Sequence, residues 1–259
     1  MISRSIYPYY WFGTCVRYLQ DSRMGYRIGD EKSEEVLYNL VAFFSYLDKL
    51  NLQVTKRAAD GLKDILKEFQ KAIQNERLTE EQASRLKTLI RDIRMTLAAE
   101  LQGFTAYITT PKRTDIKRLT EDVASLFSPA TFNKLPPIAQ YDFAEAGKCI
   151  AFERSTAAAF HILRATEAVL RGFYCSLVHQ KRCEPMWGPM IADLRKRRKG
   201  KSHSVLLDNL DNIRRSFRNP TQHPEATYDI NEVQDLWGLC VDPVNRMAKI
   251  LPSSDFPPS

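Results

Sequence analysis

Apolar side chains recur at spacings of three and four residues through most of this 259-residue chain, and this period constrains the fold more than any other feature. It is the spacing of one face of an α-helix, because 3.6 residues complete each turn. The segment from Glu34 to Leu50 shows it clearly, with Leu37, Leu40, Val41, Phe44 and Leu47 in phase. Since the same period returns along the chain, we predict a mainly all-α protein with at most a small β element.

The N-terminal part should contain a helical hairpin. Two longer apolar stripes, Leu62 to Ile73 and Leu86 to Leu101, are joined by a short polar link, so their helices should pack antiparallel. Thr79 and Gln82 form a capping-box pattern at the start of the second helix. Ordinary bundle packing is the favoured interpretation of these stripes, and a coiled-coil arm for dimerisation is the alternative.

Two N-terminal segments do not follow the helical period. Residues 1–30 are rich in aromatic side chains without a clean repeat, so the pattern assigns no element there. The run FTAYITT, residues 104–110, is β-branched and aromatic and predicts a strand, which would need a partner elsewhere.

The proline-rich run SPATFNKLPP predicts a domain boundary near residue 135. It would divide the chain into an N-terminal helical region, 1–135, and a C-terminal helical bundle, 136–259. Helices of the bundle are predicted at about 138–152, 155–178, 187–194 and 204–217, and from about 230 after the capping pair Asp229 and Glu232. Pro220 should end the fourth of these, because proline disfavours helical geometry at Asn219 and lacks an amide hydrogen.

The positive charge is concentrated in the C-terminal half. The formal net charge is +7, which favours a polyanionic partner such as RNA without proving one. The run LRKRRKGK, residues 194–201, lies between two helical patterns, and it is either a solvated loop or a phosphate-binding one. The candidate RNA-binding residues are Arg195, Lys196, Arg197, Arg198, Arg214 and Arg215.

The cysteines and the hydropathy pattern point to a cytoplasmic protein. The five cysteines are scattered and never form a CxxC pair, so they signal neither a disulfide framework nor a zinc site. No stretch of eighteen apolar residues and no signal-peptide core occurs. We therefore expect no membrane association, no metal and no cofactor.

The stretch FRNPTQHPE, residues 217–225, is the strongest candidate for chemistry. It places Arg218, Asn219 and His223 where one helix ends and the next is about to begin. An Arg–His spacing of this kind arises by chance in a chain so rich in arginine, but a helix end flanked by loop lets side chains converge without burial. There the Asn219 amide could bond a freed backbone group.

Glu167 is a second anomaly, because it occupies a core-facing position of its helix. It lies in helical phase between Leu163 and Leu170, and a buried carboxylate is costly unless it is paired. Either it pairs with Arg164 or Arg171 on its own helix, or it reaches Arg218 or His223 on a neighbouring one and orients them.

These features together resemble the HEPN superfamily of prokaryotic defence and toxin systems. The resemblance covers roughly residues 137–251 and depends on AAAFHILRATEAVLR, a Trp-Gly helix start at Trp187 and Gly188, and RNPTQHPE. It implies an all-α domain that cleaves RNA without a metal, usually across a dimer, with Arg218 and His223 as catalytic residues. A defence-system or antitoxin protein would be a further partner.

The chemistry of RNA cleavage suits these residue types. The 2′-hydroxyl is the nucleophile, so the site needs a base, an acid and positive charge against the phosphate. One histidine cannot easily be both base and acid, which would explain pairing of two copies. Two other possibilities stay open: a non-catalytic helical module that binds RNA, a nucleotide or a protein, and a structural or inhibitory subunit that docks through its N-terminal hairpin.

Overall fold

A computed structural model describes residues 5–29, 32–73, 75–179 and 186–251. The chain divides into two compact units, Met1–Tyr107 and Ile108–Ser259. The described residues form helices and contain no strand, only an isolated β-bridge between Arg27 and Arg77. The prediction of a mainly all-α protein is therefore confirmed.

The first unit is built from five helices among the described residues. They are α1 (Tyr7–Asp21), α2 (Val36–Lys49), α3 (Gln53–Ala58), α4 (Asp60–Phe69) and α5 (Glu80–Gln102). The Thr79–Gln82 capping box is present at the start of α5. The predicted antiparallel hairpin is also present, because Glu68 near the end of α4 contacts Gln82, whereas Thr55 in α3 contacts Glu100 near the end of α5.

Three details of this unit differ from the sequence prediction. Helix α1 lies in the region for which none was predicted. The first arm of the hairpin is two helices rather than one, and it ends at Phe69, so Ile73 is exposed. The predicted strand at 104–110 was wrong, because no partner strand is present in the described chain and Tyr107 and Ile108 are exposed to solvent.

The second unit is a helical bundle. Its helices are α6 (Ile116–Glu121), α7 (Pro137–Ala151), α8 (Ser155–Val178), α9 (Trp187–Lys196), α10 (Arg198–Lys201), α11 (Ser204–Ile213), α12 (Asn219–Thr221) and α13 (Ile230–Ala248). Short 3-10 turns at Val123–Leu126 and Phe132–Lys134 lie between α6 and α7. Helix α8 packs against α7, α9 and α13, so it is the central helix of the bundle.

The core of this unit begins well before residue 135. Phe127 packs against Phe143 of α7 and Trp237 of α13, and Leu119 of α6 is buried in the same cluster. Gly147 allows the approach of α6, because a Cβ atom there would lie 2.2 Å from the Leu119 carbonyl oxygen. The proline-rich run is thus a connection inside the second unit, and the division of the chain falls at residues 107 and 108.

The basic run 194–201 is helical rather than a loop. Helix α9 extends to Lys196, and α10 follows directly. Gly200 permits this tight return, since a Cβ atom there would lie 1.9 Å from the Leu194 carbonyl oxygen. In α8, Cys175 is disulfide-bonded, which the scattered cysteines did not predict, whereas Cys15, Cys149 and Cys240 are free.

Candidate functional site

A cavity of about 490 Å³ opens between α8 and the segment that carries Arg218. From α8 it is lined by Phe160, His161, Arg164 and Glu167, and from the facing segment by Arg218 and Gln222. These side chains combine positive charge, a carboxylate, an imidazole and an exposed aromatic ring.

A π-helical turn places Arg218 on this cavity. Residues Arg214–Arg218 form the turn directly after α11, and the Asn219 amide donates to the Arg214 carbonyl oxygen five residues earlier. The chain stays helical through Pro220 to Thr221, so the prediction that Pro220 ends the helix before Asn219 was wrong. The Phe217 carbonyl oxygen in this turn accepts from the Thr221 hydroxyl at 2.6 Å and from the Tyr228 hydroxyl at 3.2 Å.

Glu167 links two arginines. Its Oε1 accepts from Arg171 at 2.9 Å, and its Oε2 accepts from Arg218 at 3.3 Å. Its side chain is 14% exposed and that of Arg218 is 27% exposed, so the pair is largely shielded from water but open on the cavity side. Of the alternatives that the sequence left open, Glu167 takes one partner on its own helix and one on the facing segment.

The structure does not bring His223 to the cavity wall. The residue is exposed in the turn after α12, where its amide donates to the Pro220 carbonyl oxygen. Its neighbour Gln222 does line the cavity. Asn219 is exposed, and within the described chain its side chain has no hydrogen-bond partner, so it does not make the predicted bond to the backbone.

Sequence reasoning missed a cluster centred on Asp142 of α7. This carboxylate is fully buried and accepts from His161 Nδ1 at 2.8 Å and from Arg164 Nε at 2.6 Å. The hydrogen bond with Asp142 raises the pKa of the Arg164 guanidinium. The sequence did contain a signal for this cluster, because Asp142 is a charged residue on the apolar side of its helix, next to Ala139, Phe143 and Ala146. Glu167 interrupts the apolar side of α8 in the same way.

Most of the predicted RNA-binding arginines are engaged with carboxylates. Arg195, Arg214 and Arg215 converge on the buried Asp211, and Arg197 pairs with Asp193. Burial opposes ionisation of Asp211, but the hydrogen bond from Arg214 and the charges of the three arginines lower its pKa overall. A hydrogen bond from Arg197 and another from Tyr174 lower the pKa of Asp193.

Two of the predicted RNA-binding side chains do not form ion pairs with carboxylates in the described part of the chain. Lys196 and Arg198 are exposed, and neither has an acidic partner in the described part of the chain. They can therefore meet a phosphate without first breaking an ion pair, as can Lys199 and Lys201 of the same run among the described residues.

Comparison of the chain with protein-family models, with curated proteins and with solved structures gave no match. The described residues contain no group of three or more His, Cys, Asp and Glu side chains close enough to share a metal ion. Among the described helices, none combines the length and the apolar character needed to cross a bilayer.

Proposed function

We propose that this protein is a metal-independent endoribonuclease of the HEPN type that acts as a homodimer in a prokaryotic defence or toxin–antitoxin setting. The observation that carries the proposal is the position of Arg218 on an open cavity, with His223 exposed a few residues further on. A guanidinium can bind two phosphate oxygens and stays charged at any physiological pH, whereas an imidazole exchanges protons near neutrality.

The surroundings of Arg218 support an RNA substrate. Phe160 is 48% exposed on the same cavity, so a base can stack on its ring while the phosphate meets Arg164 and Arg218. Lys196 and Arg198 would add contacts to the backbone of the strand, which makes the expected affinity dependent on salt.

Cleavage of an RNA oligonucleotide in EDTA tests the proposal. The wild-type chain should produce a 2′,3′-cyclic phosphate end, and Arg218→Ala and His223→Ala should each lower the rate by at least about 100-fold. Arg246→Ala is the matched control, because among the described residues Arg246 pairs only with Asp242 on its own helix. An oligonucleotide with a 2′-deoxy sugar at the cleaved position should remain intact.

Two results would refute the nuclease. One is the absence of cleavage by the wild-type chain, alone and with its cellular partners; the other is an unchanged rate and unchanged cellular toxicity in His223→Ala. The exposure of His223 makes this substitution informative, since removing an exposed ring should change the unfolding free energy by less than about 0.5 kcal/mol.

The Glu167–Arg218 ion pair favours a second candidate, a non-catalytic helical module. In that case Arg218 would hold the π-helical turn against α8, and a bound RNA, nucleotide or protein would be left intact. This candidate predicts that Arg218→Ala lowers the melting temperature and that neither the wild type nor the variant cleaves RNA.

A further inference from the structure

His161 has the arrangement of a proton-transfer residue rather than of a buried structural histidine. Its Nδ1 lies 2.8 Å from an Asp142 oxygen, and the ring is 26% exposed on the cavity that Arg218 also lines. When Nδ1 donates its hydrogen to Asp142, the lone pair of Nε2 is left for a group in the cavity. A carboxylate that fixes the ring and its tautomer is the way in which many catalytic histidines are held.

The charge around His161 suits a phosphodiester. The carboxylate of Asp142 is also bound by Arg164, and that of Glu167 by Arg171 and Arg218. Three guanidinium groups against two carboxylates leave one positive charge around the His161 imidazole. An anion entering the cavity therefore meets a net positive site that also presents an imidazole.

We propose that His161 is a second catalytic histidine of each protomer, the general base that accepts the proton of the RNA 2′-hydroxyl, and that Asp142 positions it. The inference rests on the proposed ribonuclease function. It supplies the base that a site with His223 alone lacks, so that each chain contributes both a base and an acid.

The reaction balances without any further reagent. His161 Nε2 takes the 2′-hydroxyl proton while the 2′-oxygen forms a bond to phosphorus and the bond from phosphorus to the 5′-oxygen breaks. Because His223 of the same chain does not line this cavity, the imidazolium of His223 in the partner copy gives its proton to that 5′-oxygen. The products are a 2′,3′-cyclic phosphate and a free 5′-hydroxyl, and exchange with water restores both histidines.

A purely structural role is the competing explanation, because a fully buried carboxylate requires partners in any case. The substitution His161→Asn separates the two roles. The asparagine amide can replace Nδ1 as the donor to Asp142, but it has no group that can accept a proton at the position of Nε2.

The experiment measures kcat and KM of the full-length chain on a short RNA in EDTA, together with the melting temperature. His161→Asn should lower kcat about 100- to 10,000-fold, with KM changed less than about threefold and the fold retained. His179→Asn is the matched control, since His179 is an exposed residue outside the cavity with a φ of 58°, a conformation that asparagine tolerates. It should behave as the wild type.

The outcomes separate the two proposals. If the wild type cleaves RNA and Arg218→Ala abolishes cleavage, but His161→Asn keeps its kcat within threefold, then His161 is not the base and the ribonuclease proposal stands. If the wild type cleaves nothing, the function fails and the role of His161 fails with it. Should His161→Asn not fold, His161→Gln is measured in the same way, and retention of kcat in that variant overturns the inference.

Discussion

Glu167 restrains Arg218, and neutralising it should change stability and RNA affinity in opposite directions. In Glu167→Gln the side chain keeps its length and its acceptor oxygen, but the charge facing Arg171 and Arg218 is lost. The guanidinium of Arg218 then remains on the cavity without an anionic partner. We expect a less stable protein that binds an RNA phosphate more tightly.

Both magnitudes follow from the geometry. At the 3.3 Å between Glu167 Oε2 and Arg218 Nη2, an effective dielectric constant of about 20 gives a gross attraction of about 5 kcal/mol. Desolvation and the hydrogen bond that glutamine retains offset most of it, so the expected loss of unfolding free energy is about 1–2 kcal/mol. A carboxylate about 6 Å from a bound phosphate, at a dielectric constant of about 40, repels it by about 1.4 kcal/mol, which corresponds to tenfold in Kd.

The assay pairs thermal unfolding with fluorescence anisotropy of a labelled oligonucleotide that carries a 2′-deoxy sugar at the cleaved position. The melting temperature should fall by about 2–8 °C. The Kd for RNA should fall about tenfold at low salt. The slope of log Kd against log salt concentration should increase by roughly the amount expected for one additional phosphate contact. Glu145→Gln is the control, because Glu145 is a partly exposed carboxylate that pairs with Lys148 on its own helix. Weaker RNA binding in Glu167→Gln would refute the reasoning and would mean that Glu167 positions Arg218 for binding.

Three further substitutions test the structure itself. Asp211→Asn should lower the unfolding free energy by about 1–3 kcal/mol at pH 7. Because folding lowers the pKa of Asp211, its carboxylate stabilises the fold above the ordinary value of 3.8, and this stabilisation is lost as the pH falls through the folded-state pKa. Urea unfolding should therefore show a smaller difference between variant and wild type at pH 3 than at pH 7, and a constant difference would contradict the prediction. Gly147→Ala should destabilise the second unit by about 1–3 kcal/mol in chemical denaturation, because the new methyl group overlaps the Leu119 carbonyl; an unchanged midpoint would show that α6 does not pack so closely. Thr79→Ala should lower the unfolding free energy by about 1 kcal/mol, because it removes the side-chain cap of α5. Thr79→Ser keeps a capping hydroxyl and is the control; equal melting temperatures for the two variants would contradict the role of the cap.

The sequence predicted those helices whose capping residues and apolar stripe lie within a few residues of one another. The capping boxes of α5 and α13 were both visible in the sequence, because the cap and its partner are three residues apart. Helix α1 was missed although Phe12, Cys15, Val16 and Leu19 have the helical spacing and are all buried. The aromatic residues just before it, among them the exposed Tyr7 and Tyr10, show no clean period and concealed the stripe.

The sequence could reveal a site residue only where a polar side chain interrupts the apolar face of a single helix. Glu167 stood out because it interrupts an apolar face, and Asp142 carries the same signal. Its partners His161 and Arg164 lie on the next helix, about twenty residues away, and nothing local indicates which residues of α7 and α8 face each other. The π-helical turn was equally invisible, since it adds one residue to a turn without a change in the apolar pattern.

Two carboxylates with little exposure lie at the cavity: Asp142 is fully buried, and the Glu167 side chain is 14% exposed. Asp142 and Glu167 are costly to desolvate, and a bundle built for stability alone would place apolar residues at both positions. Instead each holds an arginine at the cavity, and Asp142 also fixes the ring of His161. Under the proposed function, an incoming phosphate would replace Glu167 as the partner of Arg218, because the guanidinium groups outnumber the carboxylates. Glu167 would then pair with Arg171 alone, so the proposed binding and the restraint of Arg218 would use the same charges.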